Sequence, residues 1–68
     1  MSDFGLRLRR AMRDKHISSE ELAKALYVQR SAVYRWRQGR IPQVDIFVSM
    51  CKYLGVTSDY MLGMTNKY

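Results

Sequence analysis

The sequence has few of the residues that cross-link small domains or hold metal ions. It contains 68 residues, with one cysteine, one histidine and one proline. A single cysteine cannot form an internal disulfide, and one cysteine with one histidine falls short of the roughly four ligands of a structural zinc site. A chain of this length is expected to form one domain, residues 1–68, with one small core. We therefore expect packing and helix capping alone to stabilise it.

Long apolar runs and catalytic motifs are also missing. No apolar stretch approaches the roughly 18 residues of a membrane span, and the N-terminus does not have the pattern of a signal peptide. The sequence shows no Ser/His/Asp or Cys/His constellation and no glycine-rich phosphate loop. We therefore expect a cytoplasmic protein that is not an enzyme, needs no cofactor and binds neither a membrane nor an evident small-molecule ligand.

Acidic residues are scarce, and the charge is unevenly distributed. Six Asp and Glu stand against twelve Lys and Arg, which gives a net charge of +6. Residues 1–40 hold ten basic and four acidic residues, whereas residues 41–68 hold two of each. The whole excess therefore lies in the first part of the chain. Such a balance favours a polyanionic partner, with nucleic acid first and an anionic membrane second.

Helical periodicity dominates the sequence, and signals for strands and hairpins are poor. Ser18, with Glu21 three residues later, has the pattern of a capping box, and Gly39 followed by Pro42 ends a helix. The pattern predicts an all-α, compact bundle of about five short helices. Their approximate ranges are 3–15, 19–26, 30–38, 44–54 and 58–62.

The second and third predicted helices are short and joined by very few residues. Their apolar stripes must reach the same core, so they cross steeply and form a helix-turn-helix. With Val33 and Trp36 directed to the core, helical spacing turns a polar face of the third helix outward. An arginine on such a face can grip guanine O6 and N7 in the major groove of DNA. The predicted outward face consists of Arg30, Ser31, Tyr34, Arg35 and Gln38.

Three motifs together resemble the phage repressor/Cro (XRE-type) helix-turn-helix family. They are the Leu22-Ala23 opening, the Gly39-x-x-Pro42 segment and the stretch from Leu54-Gly55-Val56 to Asp59-Tyr60. The resemblance extends from about residue 6 to residue 63 and implies a lambda-repressor-like DNA-binding domain. It implies a Cro-like repressor, encoded by a bacterium or phage and acting at the nucleoid. Such a protein binds a pseudo-palindromic operator as a homodimer, with half-sites ~34 Å apart.

The resemblance also implies roles for individual residues. Base edges would be read by Arg30, Ser31 and Arg35, with Tyr34 on the same face. Phosphates would be contacted by Ser19, Gln29, Gln38 and Arg40.

Two departures from the family pattern stand out. Tyr27 occupies the turn where relatives have a left-handed glycine, and a non-glycine residue there costs on the order of 1 kcal/mol. Either this turn is strained or it differs in shape. Met12 and Arg37 replace a pair that is usually Arg and Glu. We therefore hypothesise that Arg37 is a free cation that adds to the field facing DNA and contacts phosphate.

An alternative function uses the same helices differently. A small protein-interaction module, such as an antitoxin or anti-regulator, would dock a protein partner, and its affinity would be insensitive to salt and to changes at Arg30 or Arg35. Trp36 and Cys51 are expected in the core. A dimer contact is expected on the charge-neutral side of the chain, in a patch of Tyr53, Tyr60, Met64 and Tyr68.

Overall fold

Five α-helices follow one another in the computed structural model, which describes residues 3–68. Residues 1 and 2 of the predicted domain lie outside the described part. The all-helical bundle with a helix-turn-helix is confirmed. The helices are α1 (Phe4–Lys15), α2 (Ser19–Ala25), α3 (Arg30–Arg37), α4 (Val44–Leu54) and α5 (Ser58–Met61).

Side-chain caps start two of the shorter helices. The Ser18 hydroxyl oxygen accepts a hydrogen bond from the Glu21 amide at 3.1 Å, and that of Thr57 accepts from the Tyr60 amide at 3.1 Å. Glu21 does not complete the predicted reciprocal box, because its carboxylate accepts instead from the Tyr53 hydroxyl at 2.7 Å. The cap thus starts α2, while the glutamate ties α2 to α4.

The core is formed by the apolar faces of all five helices. Helix α1 buries Phe4, Leu8, Ala11 and Met12, and Trp36 of α3 is 7% exposed, as expected of a core residue. Helices too short to be stable alone are held together by this shared burial. The other buried apolar residues are Leu22, Ala23, Val33, Met50, Cys51, Leu54, Val56, Tyr60 and Met61.

Two residues of the C-terminal part differ in exposure from what the sequence suggests. Val44 stands at helical spacing from Phe47 and Cys51, yet it is 78% exposed at the first position of α4. The expected dimer patch also loses Tyr60, which is 2% exposed and packs its ring edge-on against Tyr68. The patch is therefore not a continuous aromatic surface.

Glycine at position 5 allows α1 to touch the end of α3. A Cβ added to Gly5 would lie 2.5 Å from the Arg37 carbonyl oxygen and 2.8 Å from the Gly39 nitrogen. Both neighbours are backbone atoms, which cannot move aside as a side chain can. The contact fixes where the third helix ends relative to the first.

The C-terminal segment folds back across α1. Arg7 Nη1 donates to the carbonyl oxygens of Tyr60 at 3.0 Å and Thr65 at 2.8 Å. Further along, the Tyr68 hydroxyl donates to the Asp14 carboxylate. The Lys15 ammonium also lies 5.3 Å from the centre of the Tyr68 ring, so three side chains of α1 hold the segment from 62 to 68. No helix within residues 3–68 is long and apolar enough to cross a membrane.

Candidate nucleic-acid interface

The outward face of α3 is polar and open to solvent. Val33 is fully buried and Trp36 nearly so, which leaves the opposite side of the helix free. All four residues expected to read bases are exposed there: Arg30, Ser31, Tyr34 and Arg35. Neither arginine lies inward or beneath another segment of the described chain. Their contact with DNA remains a prediction.

A shallow depression of about 610 Å³ runs beside this face. It brings together three of the residues expected to read bases and three expected to contact phosphate, from the start of α2 and along α3. Its lining consists of Ser19, Gln29, Arg30, Ser31, Tyr34 and Arg37. The structure therefore places most of the predicted site residues on one continuous concave surface.

The other three predicted residues lie around the C-terminal half of α3. Arg35 and Arg40 line a second depression, of about 340 Å³, together with Pro42. Gln38 lines a third, which also includes Arg9 of α1. The predicted residues thus surround the exposed side of α3 without forming one pocket.

Arg30 takes part in a weak ion pair that does not neutralise the surface. Its Nη1 lies 3.8 Å from a carboxylate oxygen of Glu20, whose other oxygen lies 3.5 Å from the Lys24 ammonium. All three side chains are well exposed, so these pairs are screened and weak. Because the pair with Glu20 is weak, Arg30 can leave it for another acceptor such as a guanine edge.

Arg37 has a hydrogen-bond partner that the sequence did not predict. Its Nη1 donates a hydrogen bond to the Ser19 hydroxyl oxygen at 3.0 Å, so it is not a free cation but a tethered one. The residue is half-buried, and its Nε is buried without a hydrogen-bond partner in the described structure. Sequence reasoning missed this contact because Ser19 and Arg37 belong to different helices, 18 positions apart.

The hydrogen bond from Arg37 leaves the Ser19 hydroxyl able to donate to a phosphate, the contact that the sequence predicts for it. A serine hydroxyl carries one hydrogen and two lone pairs. Because a lone pair takes the bond from Arg37, the hydrogen remains available for donation to an anion. Ser19 and Arg37 therefore present a hydroxyl donor beside a guanidinium cation at the edge of the depression.

The single cysteine lies away from this surface. Cys51 is buried, and desolvation raises the pKa of its thiol, which is opposite to the shift of a reactive cysteine. Among residues 3–68, no cluster of His, Cys, Asp or Glu side chains is arranged to hold a metal ion.

Comparisons with known proteins agree with the architecture. A family model described as helix-turn-helix matches residues 8–61. A curated relative, the HTH-type transcriptional activator BcrR of Enterococcus faecalis, is 31% identical over 62 residues. The match covers 90% of this chain and 30% of the relative, so the chain spans about a third of that protein's length. No solved structure matches the chain.

Proposed function

The chain belongs to the helix-turn-helix family of DNA-binding transcription regulators, and from this premise we propose that it reads a specific operator through the major groove. The proposal rests on one observation. An unobstructed helix face of suitable chemistry borders a concave surface that collects Ser19, Gln29, Arg30, Ser31, Tyr34 and Arg37. A face of this width enters the major groove, where base edges differ in their donors and acceptors.

In this proposal α3 supplies the base contacts. Arg30 and Arg35 donate to guanine, Ser31 and Tyr34 bond to neighbouring base edges, and the buried Val33 and Trp36 hold the helix in place. Phosphate contacts come from the residues around it, namely Ser19, Gln29, Arg37, Gln38 and Arg40. The division follows the general pattern in which phosphate contacts set the register and base contacts set the sequence.

We further propose that two copies bind a pseudo-palindromic operator in the cytoplasm, at the nucleoid. Selection of bound duplexes from a random pool tests this directly. The expected product is a motif with two inverted halves about one helical turn apart, ~34 Å. Recovery of no enriched motif would contradict sequence-specific reading, and a single unrepeated half-site would contradict the dimer.

The direction of regulation needs a separate test. We propose repression by occupation of the operator, as in the repressor/Cro family that the sequence resembles. A reporter carrying the selected operator across its promoter is expected to lose transcription when the chain is expressed. Increased transcription would instead assign activation, the role named for BcrR.

A further inference from the structure

A further concave surface lies on the other side of Ser19 and Arg37, where α1, α2 and α3 meet. We call it the arginine cleft. It has a volume of about 280 Å³, and its lining includes Arg9 and Arg13 of α1, Ser19 of α2 and Arg37 of α3. No acidic residue lines it. Three arginine side chains therefore border a small open space that no acidic side chain lines.

The charge of Arg37 is not balanced within the described chain. Its hydrogen bond goes to a neutral hydroxyl, and its buried Nε has no partner within residues 3–68. A half-buried cation without an anionic partner is costly, and the cost falls when an anion arrives. Arg37 lines the arginine cleft, so an anion bound there would balance its charge.

The two arginines that α1 contributes to the arginine cleft, Arg9 and Arg13, are restrained by different contacts. Arg9 Nε donates to the Gly5 carbonyl oxygen at 3.3 Å, which holds the side chain along the helix beside Arg37. Arg13 lies 3.4 Å from Asp14, but both groups are exposed, so this contact is weak and exchangeable. Arg13 can therefore turn toward an anion at small cost, while Arg9 is already held beside Arg37.

The arginine cleft is continuous with the depression beside α3, since Ser19 and Arg37 line both. Arg30, Tyr34 and Arg37 also lie on one stripe of α3, at spacings of four and three residues. Phosphates border the major groove on both sides. A duplex engaged by Arg30 therefore brings its backbone toward the far end of this stripe and the adjoining cleft.

We infer that the arginine cleft receives one backbone phosphate next to the base pairs read by α3, with Arg9 and Arg13 as contacts in addition to Arg37. This inference rests on the proposed function, because it requires DNA along α3. It adds to the interface two residues of α1 that lie outside the helix-turn-helix. The matching ligand is a tetrahedral phosphate diester, whose two free oxygens accept from several guanidinium donors.

The test measures binding to the selected operator at several salt concentrations. The double variant Arg9→Gln with Arg13→Gln is expected to bind about tenfold more weakly, as loss of a charge-assisted hydrogen bond predicts. The slope of log affinity against log salt should fall by roughly one, the value for one phosphate contact. Lys52→Gln on α4 removes one charge outside the cleft and is expected to change affinity less than about threefold, by screening.

A neutral methylphosphonate placed at each phosphate in turn locates the contact. One position outside the base pairs read by α3 is expected to weaken wild-type binding about tenfold and the double variant less than about twofold. The variant Arg9→Lys with Arg13→Lys keeps both charges and is expected to restore most of the salt slope. Unfolding curves of all variants, whose changed residues are exposed, exclude a loss of fold.

Failure of the inference and failure of the function have different signatures. One outcome is that wild type binds the operator while the double glutamine variant loses no more affinity than Lys52→Gln. In that case the arginine cleft is no phosphate site, and the proposed function stands. If no methylphosphonate position distinguishes wild type from the double variant, the inference is equally overturned. A wild-type chain with no affinity for any duplex would overturn both.

Discussion

At the residue scale, Gly5 has the most restrictive surroundings. It lies within α1, where a glycine weakens a helix by roughly 0.5–1 kcal/mol relative to alanine. Propensity alone would therefore favour alanine. The backbone of Arg37 and Gly39 leaves no room for it, with the nearest atom 2.5 Å from the added carbon.

Gly5→Ala is accordingly expected to lower the free energy of unfolding by about 1–3 kcal/mol, the usual cost of overpacking. Chemical denaturation measures it. The matched control is Leu6→Ala, at the next and exposed position of the same helix, which should change stability by less than about 0.5 kcal/mol. A Gly5→Ala protein more stable than wild type would show that α1 and α3 do not approach this closely.

Tyr27 is the other residue whose backbone conformation decides how a substitution changes stability. Its φ of 57° is left-handed, which favours a strained turn over a turn of different shape, and its side chain is 94% exposed. A side chain in this conformation costs roughly 1–2 kcal/mol, and little packing compensates for it here.

Tyr27→Gly is expected to raise the free energy of unfolding by about 0.5 kcal/mol or more, after the extra entropy of glycine in the unfolded chain is subtracted. Tyr27→Ala keeps the left-handed strain and should give no such gain. Equal stability of the glycine and alanine variants, measured by denaturant unfolding, would refute the strain.

At the scale of elements, periodicity and capping made the helices predictable. The spacing of Phe4, Leu8, Ala11 and Met12 identifies the buried face of α1, and the Ser18 cap starts α2, because both signals are local in sequence. Contacts between elements were not predictable. The close approach at Gly5, the tether of Arg37 to Ser19 and the burial of Tyr60 depend on how distant segments pack.

The segment that folds back over α1 was also missed, since its partners are more than 50 positions away. The hydrogen bond that Tyr68 donates to Asp14 is the main cause that lowers the pKa of the Asp14 carboxyl. The same carboxylate raises the pKa of the Tyr68 hydroxyl. Because folding lowers the pKa of the Asp14 carboxyl, its ionised form stabilises the fold at pH values above the ordinary pKa of 3.8. This contribution is lost as the pH falls through the folded-state pKa. A raised hydroxyl pKa stabilises below the ordinary value of 10.0, and this contribution is lost as pH rises.

Tyr68→Phe should therefore lower stability by an amount that is constant between pH 3.8 and 10.0 and shrinks on either side. Thermal unfolding of wild type and variant across this range measures the difference. Tyr34→Phe, which removes an exposed hydroxyl, is the control and should leave the profile unchanged. Parallel profiles for wild type and Tyr68→Phe at all pH values would show that the contact does not form.

At the scale of the whole molecule, the excess of basic residues and the concave surfaces belong to the same helices. The basic excess of residues 1–40 belongs to the first three helices, and these helices form the depression beside α3 and the arginine cleft. Composition predicted a polyanionic partner, and the family match identifies a helix-turn-helix over residues 8–61, which agrees with the DNA-binding role proposed above. Which residues contact which atoms of DNA could not follow from composition, because it depends on side chains brought together by three helices.

The outward face of α3 is the central element of this account, and Arg35→Ala tests it most directly. Affinities of wild type and variant are measured for the selected operator, for every single-base change within it and for random duplex. The expected loss on the operator is about 1–3 kcal/mol, with discrimination relaxed at one base pair and little change on random duplex. Equal losses on operator and random DNA, with every base preference retained, would contradict base reading by this helix.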